Sequence, residues 1–187
     1  MESNTNNVLF KITGISTAVS LICWLVFNFL KQNFLDTKVL NDDFLSALRM
    51  NKICERLSGG FLFLFIFLLG AVIAMFISDY FDLSRLSVVG VILISFGLII
   101  FIMVLYYTFP LIFNKPEVQT VTVTDKYAEY RGSKVKSWHY GVKLSNGTKH
   151  ALDYDDYVSA KEGDQYYAVM CGELNIEIYK TSEYTLP

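Results

Sequence analysis

Phe61 to Ser78 reads FLFLFIFLLGAVIAMFIS, eighteen residues without a charge. At about 1.5 Å of rise per residue a helix of this length covers about 27 Å, close to the hydrocarbon core of a bilayer. Such a run has one inexpensive home, a transmembrane helix. Leu86 to Phe109 is longer and equally uncharged, with Pro110 marking its end and Tyr106 and Tyr107 suited to an interfacial belt. A third run, Ile12 to Leu30, lies between Lys11 and Lys31 but is diluted by Thr13, Ser16, Thr17 and Ser20. A cleaved signal peptide is the competing reading of this run. No small-residue cleavage site follows it, so it is read as an uncleaved first span. Composition agrees: 53% of the chain is hydrophobic and 18% charged, against about 45 to 50% and about 25% in soluble domains. The fold class expected is therefore membrane α-helical, three transmembrane helices within residues 1–113, followed by an all-β small barrel over 117–187.

Basic residues set the expected orientation. Lys31, Lys38, Arg49, Lys52 and Arg56 fall between spans one and two, whereas Arg85 stands beside Asp79 and Asp82 between spans two and three. The first loop and everything after Pro110 are then cytoplasmic, and the N-terminus is outside. Cys23, Cys54 and Cys171 offer neither a paired framework nor metal-ligand spacing. This usage and the orientation fit a bacterial inner membrane.

Within the first loop, residues 42–58 read as a basic amphipathic helix, capped by Asn41 or Asp42 and ended by Gly59-Gly60. Phe44, Ala47, Leu48, Met50, Ile53, Cys54 and Leu57 share an arc, with Leu45 off it, and Arg49, Lys52 and Arg56 gather opposite. Those three cations are candidates for a membrane-surface basic face. The alternative is that the apolar arc packs on the C-terminal domain or on another copy of the helix. Spans two and three carry no charge, which argues against a transporter or pump. Gly14 with Ala18, and Gly70 with Ala74, have the spacing that permits close helix contact.

From Val118 the period becomes two. Five strands are read, at 118–127, 136–144, 148–152, 165–171 and 175–180, separated by turn signals at Arg131-Gly132-Ser133, Asn146-Gly147, Glu162-Gly163-Asp164 and Gly172. Asp153 to Asp164 reads as a surface turn of helix. Five short strands in about seventy residues suggest a partly open barrel of OB or SH3-like kind. With Gly147 left-handed in a three-residue loop, Leu144 faces Thr148, Val142 faces His150, Tyr140 faces Leu152 and Trp138 faces Tyr154. That register puts His139 and His150 on opposite faces of the ribbon. The two histidines then cannot share an ion, and no metal or cofactor is expected.

No nucleophile elbow or phosphate-cradling glycine loop is present, so no enzyme activity is expected. Nine tyrosines and Trp138 follow Val118, a supply of rings for base stacking, but eight Lys plus Arg face ten Asp plus Glu in that segment. That balance opposes nucleic-acid binding. The order VTVTDKYAEYRG, SWHYGVKLSNGTKH, EGDQYYAVMCG and NIEIY resembles the compact strand-rich domain that follows transmembrane helices in uncharacterised bacterial membrane families. It is similar in layout to NfeD-type proteins, and the resemblance implies membrane-scaffold partners. The expected function is a non-enzymatic integral membrane protein. Its cytoplasmic β-domain binds a protein partner or its own copies through a surface around Trp138, Tyr140, His150 and Tyr154. The second expectation is a ligand-gated membrane effector whose barrel senses a small nucleotide-like ligand.

Overall fold

The computed structural model describes residues 2–31, 37–81, 84–131 and 137–187. Two readings fall on other positions: part of the turn between the second and third spans, and Gly132-Ser133, lie outside the described residues. Three helices come first, α1 (Glu2–Leu30), α2 (Asp42–Phe81) and α3 (Ser84–Phe113). The strands are β1 (Pro116–Arg131), β2 (Ser137–Leu144), β3 (Lys149–Leu152), β4 (Gln165–Cys171) and β5 (Leu174–Lys180), with the short helix α4 (Tyr154–Ser159) between β3 and β4. The chain forms two compact units. One is helical, Met1–Asn33 with Met50–Ile112; the other holds the strands, Phe34–Arg49 with Phe113–Pro187.

The helical unit exposes far more apolar surface than a soluble protein does. Large apolar side chains such as Ile15, Val19, Ile22, Phe29, Phe96 and Ile102 are exposed, while Thr13, Thr17, Ser20, Ala71 and Ala74 are buried. Such a surface suits lipid, whose tails would cover the apolar side chains, while small residues let helices approach. All three helices are long and apolar enough to cross a membrane. The hydroxyls that dilute α1 are satisfied within it. Thr13, Thr17 and Ser20 each donate to the carbonyl four residues earlier, at 2.8 Å.

Two expectations are corrected here. Gly59-Gly60 does not end the amphipathic helix; α2 runs unbroken for 40 residues, about 60 Å at about 1.5 Å each. Gly60 instead serves close packing against α3, where an added Cβ would lie 2.8 Å from Val104. Of the two expected small-residue pairs, Gly70 with Ala74 lies against a neighbouring helix and Gly14 with Ala18 does not. Gly14 has nothing within 4 Å and Ala18 is exposed. Close approach falls on one antiparallel register of α2 and α3: beside Gly60 against Val104, an added Cβ on Gly97 would lie 2.9 Å from Phe67, one on Gly70 3.4 Å from Leu93 and one on Gly90 3.2 Å from Met75. Gly90, Gly97 and Val104 recur every seven residues, the period of left-handed helix packing. Phe61 of α2 sits between Phe27 of α1 and Phe101 of α3, with ring centroids 5.6 and 4.8 Å away.

The strand unit is a curled antiparallel sheet in the order β3-β2-β1-β4-β5. β1 serves both halves: Pro116–Thr122 pair with β4, and Val123–Arg131 pair with β2, with a register shift between Val123 and Asp125. The curl encloses Val121, Val123, Val142, Leu144, Tyr166, Ala168, Met170 and Ile178, with Ala160 after α4. Edge strands β3 and β5 approach through side chains, His150 Nε2 to Glu177 Oε1 at 3.2 Å and Asn175 Nδ2 to Thr148 Oγ1 at 3.4 Å. The result is a half-barrel. The β2–β3 hairpin has the expected register, Val142 opposite His150 and Tyr140 opposite Leu152, with Gly147 at φ +83°.

Residues just before and within the start of α2 belong to this unit. Leu40 donates to the Thr185 carbonyl and Thr185 donates to the Lys38 carbonyl, both at 2.9 Å. The Asn41 side chain caps α2 by accepting the Phe44 N–H at 2.9 Å. Phe44 packs edge-on against Tyr179, centroids 5.7 Å apart. Phe44, Leu45 and Leu48 are buried and Met50 is exposed. The packed arc is thus rotated from the expected one, and its first turns are covered by protein.

Candidate functional site: a row of aromatic rings

Alternation along β2 puts Trp138, Tyr140, Val142 and Leu144 on one face. Val142 and Leu144 lie in the core, Tyr140 is half-buried and Trp138 is 56% exposed, so the face continues from the core out along the β1–β2 ribbon. β1 adds Tyr130 opposite Trp138, Ala128 opposite Tyr140 and Lys126 opposite Val142. The helix α4 adds Tyr154 and Tyr157. Ring centroids follow one another closely: Tyr130 to Trp138 5.1 Å, Trp138 to Tyr140 6.4 Å, Tyr140 to Tyr154 5.2 Å and Tyr140 to Tyr157 4.9 Å. Lys126 anchors the inner end, donating to the Ala160 carbonyl at 2.7 Å while its ammonium stands 4.3 Å from the Tyr157 ring centre. Tyr130, Trp138 and Tyr154 are each more than half exposed. Contiguous exposure of this kind is unusual for a surface with no partner.

Three of the four residues named for this surface from the sequence, Trp138, Tyr140 and Tyr154, come together. The expected facing of Trp138 and Tyr154 is corrected: Tyr154 opens α4 beyond the end of β3, so its ring meets Tyr140. His150 lies apart from the rings, opposite Val142 and joined to Glu177. His139, on the reverse side, is 3.2 Å from the Ser137 hydroxyl. Tyr130, Tyr157 and Lys126 were missed. Reading β1 as an uninterrupted alternation puts Val121, Val123, Asp125 and Tyr127 on one face; the register shift after Val123 brings Lys126, Ala128 and Tyr130 inward instead.

The two arginines of α2 have partners in carbonyl groups. In the strand unit the Arg49 guanidinium donates to the Asn114 carbonyl at 3.2 Å, just past the end of α3 where backbone acceptors lack helical donors. In the helical unit Arg56 donates to the Tyr107 carbonyl, in the turn before Pro110. Lys52 is half-buried.

Electrostatics elsewhere in the strand unit are structural. The Lys143 ammonium beside Asp125, through a hydrogen bond first and its charge second, holds that carboxyl below the usual range. Burial pushes the Cys171 thiol up, against the Arg49 charge, so it stays protonated and unreactive. Among the described residues no group of three His, Cys, Asp or Glu could hold a metal ion. No protein-family model, curated protein or solved structure matches the chain. The layout of long apolar helices followed by a curled five-strand sheet is the one the NfeD resemblance implies, and it is a likeness of layout alone.

Proposed function

We propose that this is a non-enzymatic integral membrane protein whose β unit, a small barrel of OB or SH3-like kind, binds a protein partner or further copies of the chain through its row of rings. The long β1 shared between the two halves of the sheet supports the barrel assignment. The carrying observation for binding is the exposed run from Tyr130 through Trp138 and Tyr140 to Tyr154. Tyr and Trp lose little side-chain entropy when covered and dominate the energetics of protein interfaces. The basic loop supports a cytoplasmic β unit at a bacterial inner membrane. The second expectation, a sensor of a nucleotide-like anion, draws little support from the hollows of the strand unit, whose walls carry at least as many carboxylates as ammoniums.

The test is affinity purification of the full-length protein from native membranes in mild detergent, beside a Trp138→Ala/Tyr140→Ala variant. A partner, or a homo-oligomer, captured by the wild type is expected to be lost from the variant while its melting temperature stays within a few degrees. Retention of the same partner by a folded variant refutes the assignment of the surface.

A further inference from the structure

β1 is longer than the strand that covers its outer edge. β4 pairs with Pro116–Thr122, and the Asp164 carbonyl and Gly163 N–H carry that pairing one residue further, to Val123. Beyond this point β1 continues to Arg131 with β2 on its other side. The β2–β3 hairpin fixes which backbone groups of β1 turn outward. Leu144 donates to the Thr148 carbonyl on the β3 side, whereas Ser145 donates to the Thr122 carbonyl on the β1 side. Backbone groups of successive strand residues point to alternate sides, so Lys143, Gly141 and His139 bond toward β1. Their opposite residues Asp125, Tyr127 and Glu129 bond toward β2, and Ala128, which lies between them, directs its N–H and C=O away from it. Ala128 is exposed, and among the described residues no strand lies on that side of it. Such an edge is a template for another strand.

The charges along this edge select its occupant. Residues 125–131 read DKYAEYR. Paired antiparallel with a second copy about a twofold axis at Ala128, Asp125 stands opposite Arg131 of the second copy, Lys126 opposite Tyr130 and Tyr127 opposite Glu129. No like charges then face each other. Axes at Asp125, Lys126 or Glu129 oppose a charge to itself, and an axis at Tyr127 opposes Asp125 to Glu129, all destabilising. An axis at Tyr130 runs the pairing past the end of β1. We propose that the chain dimerises by β1–β1 pairing centred on Ala128, which joins two ribbons into a four-stranded sheet in the order β2-β1-β1-β2. The axis is perpendicular to the sheet, so Tyr130, Trp138 and Tyr140 of both copies line one continuous face. This deepens the reading above, on which it rests in taking further copies of the chain as the partner.

The experiment is disulfide trapping of the full-length protein in native membranes, with single added cysteines, followed by size determination in mild detergent. Across such an axis the two Ala128 Cα atoms are about 5.5 Å apart, within disulfide reach. Lys126 lies four residues, about 13 Å, from its own copy, and so does Tyr130. Ala128→Cys is expected to give a covalent homodimer under mild oxidation, and Lys126→Cys and Tyr130→Cys no more than the native cysteines give. Ala128→Lys, which opposes two ammoniums at the axis, is expected to weaken the dimer about tenfold or more. Ala128→Pro, which removes the outward N–H, gives the same direction, and either serves if the other melts early. Equal trapping at 126, 128 and 130 overturns the proposal, as does a monomeric wild type or trapping of a different protein at 128. If Trp138→Ala/Tyr140→Ala loses its partner while Ala128→Cys traps no second copy, the ring surface stands and the β1 pairing is refuted.

Discussion

Gly141 decides whether the ribbon that carries the rings can form. It lies in β2 between Tyr140 and Val142, opposite Tyr127 on β1 and Ala151 on β3. A Cβ at this position would stand within 2.5 Å of three atoms: the His150 carbonyl oxygen, the Tyr127 hydroxyl oxygen and the adjoining ring carbon. Even close carbon–oxygen contacts between strands are about 3.3 Å. Gly141→Ala therefore requires a separation of about 1 Å more than the structure provides. Tyr127 can rotate away, but the His150 oxygen belongs to the β3 backbone and moves only if the β2–β3 ladder opens. Overpacking of this kind costs about 1–3 kcal/mol, against a gain of about 0.5–1 kcal/mol from replacing a flexible glycine in a strand. The clash wins. The difference, about 1 kcal/mol between the mid-range values and up to about 2.5 kcal/mol, lowers the melting temperature of a domain this small by about 4–8 °C per kcal/mol.

The assay is thermal unfolding of the purified protein in detergent, followed by near-ultraviolet circular dichroism of its tyrosines and tryptophans. A double variant, Tyr127→Ala/Gly141→Ala, separates the two contacts. If the backbone oxygen is decisive, removing the Tyr127 ring does not restore stability to the level of Tyr127→Ala alone. A Gly141→Ala protein that melts at or above the wild type would refute the reasoning, since the backbone entropy term would then exceed the clash.

Gly97→Leu is expected to force α2 and α3 apart, because even its Cβ would lie 2.9 Å from the Phe67 Cβ; the readout is loss of crosslinking between cysteines placed at the facing positions 70 and 93, compared with Gly14→Leu, where there is open space. Tyr179 gives a pH signature. Burial, then the Glu177 charge, raises its pKa well above the usual tyrosine value. Its contribution to stability is thus fully present below pH about 10 and is lost as pH rises above that, because the unfolded chain ionises first. Tyr179→Phe is expected to lose less melting temperature than the wild type between about pH 9 and 11, and parallel losses in the two proteins would count against the assignment.

Local chemistry carried most of the fold into the sequence, and long-range chemistry carried most of what was hidden. The limits of β2 to β5 and the β2–β3 register follow from period-two alternation and from a glycine that the turn holds at positive φ, both properties of a few adjacent residues, whereas β1, expected over 118–127, runs from Pro116 to Arg131 because it pairs with both β4 and β2. The three helices follow from length and apolarity in the same way. By contrast Gly59-Gly60 has the chemistry of a helix end, yet α2 runs through it and Gly60 makes room for Val104; that need for space belongs to α3 and cannot be read from α2. The site divides along the same line. Trp138 and Tyr140 lie on one face because they are two residues apart in a strand. Tyr130 and Lys126 join them only because β1 shifts register where it passes from β4 to β2, a bend imposed by the curl of the whole sheet. Arg49 and Arg56 have the spacing of an amphipathic helix, and the carbonyls they reach, at Asn114 and Tyr107, lie 65 and 51 residues away. Sequence periodicity thus names the elements and their faces, whereas the partner of each face is set by the curvature and close packing that only the folded chain possesses.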